Sequence, residues 1–98
     1  MSLRTKQSKF AKMVALLIEY ATVQGYDVTF GDAFATSGHS KNSFHYKRLA
    51  IDLNLFREGK YLRDTEDHKP LGVFWQSIGG TWGGDFKNPD GNHYSLGE

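Results

Sequence analysis

The sequence predicts a single α+β domain, with a small antiparallel sheet, helices packed on one of its faces and a polar site on the other. Three features predict this. A helical apolar pattern opens the chain, a strictly alternating segment occupies its middle, and a second helical stripe runs into a dense set of glycines. A length of 98 residues allows one domain and a thin core. Hydrophobic residues at 39% and charged residues at 23% place the chain among packed globules rather than disordered segments.

From Lys9 to Gln24, Phe10, Met13, Val14, Leu17, Tyr20 and Ala21 recur at helical spacing, with Ser8 as the expected N-cap and Gly25 in the left-handed position beyond the end. Its basic start suits either a solvated end of a core helix or contact with an anionic surface. Tyr26–Phe30 alternates and is rich in strand formers, and Gly31 ends it. Residues 35–43 (ATSGHSKNS) read as a loop. Leu49–Phe56 alternates again: Leu49, Ile51, Leu53 and Leu55 share the face expected to meet the helices, and Ala50, Asp52 and Asn54 share the other. Arg57–Asp67, charged and centred on Gly59, is expected to form a turn or short hairpin. Pro70 fits the first turn of a helix whose buried stripe is Leu71, Phe74, Trp75 and Ile78, ended by Gly79 and Gly80. His68 is expected to face solvent. His93–Leu96 is expected to be a short strand.

Charge and composition exclude several functions. Lys plus Arg total 12 and Asp plus Glu 11, and this near-balance lacks the basic surplus of a nucleic-acid binder. The absence of cysteine excludes disulfide scaffolds, thiolate metal sites and cysteine nucleophiles. No stretch approaches the ~18 apolar residues of a membrane span, so stable membrane insertion is not expected. Arg4, Lys6, Lys9 and Lys12 resemble the start of a secretory signal, but the apolar run Met13–Ile18 stops at Glu19 and no cleavage site follows. A cytosolic monomer without a signal peptide is therefore expected, reaching a wall or periplasm only if something else releases it.

Two segments concentrate metal-compatible groups. One runs from Ser43 through His45 to Asp52, the other from Asp85 through Asp90 to His93. A catalytic zinc needs three protein ligands, typically imidazoles and a carboxylate, and a further carboxylate nearby to handle protons. His45, Asp52, His93 and Asp90 are the residue types that meet this need. For His45 and Asp52 to converge, the chain must turn between His45 and Ala50, because seven residues along a straight strand point to opposite faces. Asp90 and His93, three apart around Gly91, require a turn leading into a strand. Gly79–Gly84 is not a phosphate loop, since no Lys-Ser/Thr pair follows it.

Ser43-x-His45-x-x-x-x-Ala50-x-Asp52, then Trp82-Gly83-Gly84, then Asp90-x-x-His93 resembles the zinc peptidases that cut peptidoglycan stem peptides. These VanY-like enzymes comprise D-alanyl-D-alanine carboxypeptidases and the L-alanyl-D-glutamate endopeptidases used as phage endolysins. The resemblance runs from about Gly31 to Leu96 and implies a Hedgehog/DD-peptidase-like fold. It implies His45, Asp52 and His93 as zinc ligands, Asp90 as general base and then acid, and a stem peptide as substrate. Ser43 is implied in the site or as a turn residue, and Trp82 in the cleft or in the core. The chain departs from the pattern twice. Arg48 stands where the family has glycine, which implies a different local turn. The upstream arginine that the family uses at the oxyanion or substrate is absent, leaving His39, Lys41 and Arg48 as substitutes.

These observations favour an L-alanyl-D-glutamate endopeptidase of phage-endolysin type. A D-alanyl-D-alanine carboxypeptidase and a catalytically impaired wall-binding module of the same fold remain as rivals, with a metal-dependent nuclease behind them.

Overall fold

Helix α1 spans Leu3–Val23 and begins earlier than the apolar stripe alone indicates. Ser2, not Ser8, is the N-cap, and its hydroxyl accepts a hydrogen bond from the Thr5 amide at 3.1 Å. The first two turns carry little apolar surface, so the periodicity that marks the core face starts only at Phe10. Phe10, Met13, Val14, Leu17 and Ala21 are buried as their spacing predicts. Gly25 follows the helix with φ 89°, a conformation that costs glycine little. The structure, a computed structural model, describes residues 1–34, 37–38 and 43–97.

The sheet is built around β2 (Ala50–Arg57). β1 (Asp27–Phe30) pairs with it antiparallel, and a tight turn at Glu58 and Gly59 brings β3 (Lys60–Leu62) back onto its far end. The near end of β2 pairs with β5 (His93–Ser95), which in turn pairs with β4 (Thr81–Trp82). Every pairing is antiparallel, and the strand order is β1-β2-β5-β4, with β3 on β2.

Helix α2 (Thr65–Ser77) corrects two expectations. Pro70 lies inside the helix rather than in its first turn, because the start is set upstream by Asp64. The Asp67 carboxylate accepts a hydrogen bond from the Asp64 amide at 3.1 Å, and Glu66 and Asp67 place negative charge at the positive end of the helix. His68 is consequently part of the buried stripe His68, Leu71, Gly72 and Trp75, and is 2% exposed rather than facing solvent.

Both helices pack on one face of the sheet. Leu49, Ile51, Leu53 and Leu55 meet Leu17, Leu71, Trp75 and Tyr94 in one cluster, as the alternation predicts. Phe10 and Tyr94 each set an edge against Trp75, with ring centroids 5.8 and 6.0 Å away. The Trp75 indole N–H donates to the carbonyls of Ser95 (2.9 Å) and Thr81 (3.1 Å), so the ring satisfies its one polar group while it fills the core. Trp82 belongs to the same cluster and is 5% exposed. It packs where Gly72 and Gly84 lack side chains: a Cβ on either would stand 2.2 Å from the indole. Of the two roles open to Trp82, the structure assigns the core.

Candidate metal centre

The opposite face of β2 carries Asp52, and the sheet register places it directly across from His93 on β5. Directly opposed residues share a face with Cβ atoms about 5 Å apart, so pairing alone brings these two side chains together. His45 arrives by a different route. Ser43 caps the short 3-10 helix Phe44–Lys47, its hydroxyl accepting from the His45 amide at 3.2 Å. The chain then reverses at Arg48 (φ 58°, ψ 37°) and enters β2. That reversal is the turn the spacing of His45 and Asp52 requires. Arg48 adopts the left-handed conformation that glycine favours, in place of a different turn, at a cost of about 1–2 kcal/mol for a residue with a Cβ.

His45 Nε2 lies 3.2 Å from Asp52 Oδ1, and His93 Nδ1 lies 3.6 Å from the same oxygen. One ligand atom from each of the three residues falls within 4.8 Å of the others. The imidazoles are 1% and 7% exposed, with ring centroids 5.3 Å apart and planes at 68°. Asp52 Oδ1 is buried and accepts no hydrogen bond among the described residues. A buried carboxylate oxygen without a donor is costly unless a cation balances it. Two imidazole nitrogens and one carboxylate oxygen converging from a sheet and a turn fit a divalent cation with an open coordination position, the donor set of catalytic zinc sites.

Asp90 stands apart from this trio. It is exposed, and its backbone forms the turn into β5: the His93 amide donates to the Asp90 carbonyl at 3.1 Å, and the Asp90 amide donates to the Gly83 carbonyl at 2.8 Å. The Trp82 indole N–H donates to the Gly91 carbonyl at 2.7 Å and ties the same turn to the core. Gly83 makes this close approach feasible, since a Cβ there would stand 2.2 Å from the Asp90 carbonyl oxygen and 2.8 Å from His93 Cβ. The Trp82-Gly83-Gly84 sequence therefore shapes the backbone that carries Asp90 and His93. The glycine density between residues 79 and 91 signals this, but not which neighbour each glycine admits.

The strap 31–34 flanks Asp52 on its other side. The Gly31 amide donates to the Asp52 carbonyl (2.7 Å), and the Asp52 amide donates to the Asp32 carbonyl (2.8 Å). Phe34, at the end of the strap, lies under the Arg48 guanidinium, 4.3 Å from ring centre to carbon. Nothing in the sequence pairs these two residues. Of the candidate substitutes for the family's arginine, His39 and Lys41 lie outside the described residues, and Arg48 lies on the turn between His45 and Asp52. Ser43 acts as a helix cap, its turn role.

The fold and the site together define a small α+β domain with a His-Asp-His centre suited to a metal ion. Residues 36–96 match a family model described as D-alanyl-D-alanine carboxypeptidase, peptidase family M15. That match covers more than half of the chain, and the chain belongs to this peptidase family. No curated protein matches the sequence. Among solved structures, the fold is similar to that of the Serratia marcescens L-Ala D-Glu endopeptidase ChiX, at a TM-score of 0.74 and 16% identity, covering 91% of this chain and 78% of that one.

Proposed function

We propose that this chain is a zinc-dependent hydrolase of peptidoglycan stem peptides that cuts the L-alanyl-D-glutamate bond and serves as a phage-type endolysin. The observation that carries the reading is the buried Asp52 oxygen set between the imidazoles of His45 and His93. These three residues would hold the metal. A zinc ion held by His45, Asp52 and His93 would supply Lewis acidity to a bound water and to the scissile carbonyl. Asp90 takes the proton from the attacking water and returns one to the leaving amine, a division of labour supported by its place on the turn that leads into His93. Membership of a peptidase family and the fold shared with an L-Ala D-Glu endopeptidase support the substrate class. No helix of the described residues is long and apolar enough to cross a membrane, which suits an enzyme released by a separate partner.

The description of the family favours a second reading, release of the terminal D-alanine. Product analysis decides between the two. Zinc-loaded protein is incubated with purified sacculi and with intact stem peptides, with and without a chelator. New D-glutamyl amino termini that vanish with the chelator are expected. Free D-alanine moves the specificity to the carboxypeptidase. Chelator-insensitive cleavage, or none, overturns the metallohydrolase.

A further inference from the structure

Three residues beyond His45 the chain carries a cationic group with no carboxylate partner among the described residues. Arg48 lies on the turn between His45 and Asp52, and its guanidinium stacks on Phe34 at 4.3 Å. Phe34 ends the strap whose backbone brackets Asp52. The stack therefore joins the turn that follows His45 to the strap whose backbone is hydrogen-bonded to Asp52. Both residues are open to solvent, with Phe34 46% exposed. No carboxylate pairs with Arg48 among the described residues.

A guanidinium stacked on a ring has its face occupied and its orientation restricted. Its in-plane N–H edge stays free, and that fork matches a carboxylate in bidentate geometry. The backbone supplies a second argument. Arg48 holds a left-handed conformation that glycine would adopt without strain, so the side chain is present at a cost to the turn. Glu58 shares this conformation, but together with Gly59 it forms the β2–β3 hairpin turn, where the backbone geometry explains itself.

We infer that Arg48, held by Phe34, receives a free carboxylate of the peptide bound at the His45–Asp52–His93 centre. The preferred substrate class is then an acidic peptide with an unamidated carboxylate beside the scissile bond. This rests on the peptidase reading above and adds a specificity to it. Arg48 is a binding residue here and takes no part in proton transfer.

Two synthetic stem peptides test it, one with the D-glutamyl carboxylate free and one with it converted to the carboxamide. Dissociation constants are measured by calorimetry on zinc-loaded Asp90→Asn protein, which leaves the peptide intact, with Arg48 present, as Arg48→Gly and as Arg48→Lys. Hydrolysis of both peptides is followed in parallel on chains that keep Asp90. The free acid is expected to bind at least about 10-fold more tightly than the amide when Arg48 is present, the yield of one charge-assisted contact. In Arg48→Gly, which the left-handed backbone accommodates, that ratio should fall to near one. Arg48→Lys should lie between, since an ammonium keeps the charge but neither stacks nor forks. Equal binding of acid and amide by the Arg48 chain, an unchanged ratio in Arg48→Gly, or no binding of either peptide overturns the inference. Acid-selective binding without hydrolysis upholds the carboxylate site and sinks the hydrolase. Hydrolysis without acid selectivity does the reverse.

Discussion

His93 and Tyr94 are neighbours in β5, and each meets a histidine on its own face of the sheet. On the core face, the Tyr94 hydroxyl and His68 Nδ1 are 2.8 Å apart. Burial lowers the His68 pKa against a smaller opposing pull from Asp67, and burial raises that of Tyr94. Both groups therefore stay neutral, and the hydroxyl and the ring nitrogen share one hydrogen bond. On the other face, His93 and His45 converge on a carboxylate oxygen that accepts no hydrogen bond among the described residues. The three histidines are similarly hidden, at 1%, 2% and 7% exposure. Burial therefore does not separate a ligand from a structural histidine. What separates them is the neighbour: a phenol hydroxyl beside His68, and beside His45 and His93 a carboxylate oxygen with no hydrogen-bond donor among the described residues.

Substitutions on the two faces sharpen or break this contrast. The largest effect is expected from His93→Ala, which removes one of the three side chains proposed to hold the metal. Metal affinity should fall by more than about 100-fold, a loss already seen when only an outer partner of a ligand is removed, and turnover should go with it. Metal content after dialysis against limiting zinc measures this, and a full equivalent retained by the variant refutes the ligand assignment. Asp90→Asn should keep that equivalent while turnover drops by about 10²–10⁴-fold, the usual contribution of a general acid–base group. An active Asp90→Asn enzyme would hand proton transfer to another residue.

On the core face, Gly72→Ala drives a methyl into the Trp82 indole and should cost about 1–3 kcal/mol, the range for overpacking a tight core. Urea midpoints measure it, and a wild-type midpoint would mean that Trp82 moves aside without cost. The smallest effect concerns His68. Its folded pKa lies below the ordinary 6.5, so as the pH falls the unfolded chain takes up the proton first. The stability involved is present above about pH 6.5 and is lost below it. His68→Gln should therefore lose less stability between pH 7.5 and 5 than the wild type does. Parallel losses would mean that His68 is charged in the fold.

Much of this division was legible in the chain. Leu49–Phe56 shows a period of two, which assigns Asp52 to the face away from the core before any partner is known. The spacing of His45 and Asp52 demands a turn, and Arg48 supplies it. His68 was not legible from Pro70, because a proline suits a helix start and the true start was set by Asp64, Glu66 and Asp67. The pattern His68, Leu71, Gly72, Trp75 did hold the signal, and a histidine and a glycine in the stripe obscured it. The Phe34–Arg48 stack had no local signal at all.

The residues alone determined the elements, their faces and the inventory of ligand-type side chains, because these follow from period, capping and composition, which are local. The tertiary structure decided which side chains meet. The register of β2 on β5 sets Asp52 opposite His93, the backbone of Gly83 lets the Asp90 turn close against it, and the strap over Asp52 brings Phe34 under Arg48. Contacts of this kind join segments 7 to 41 residues apart, and they arise only once burial of the opposite face has aligned the strands.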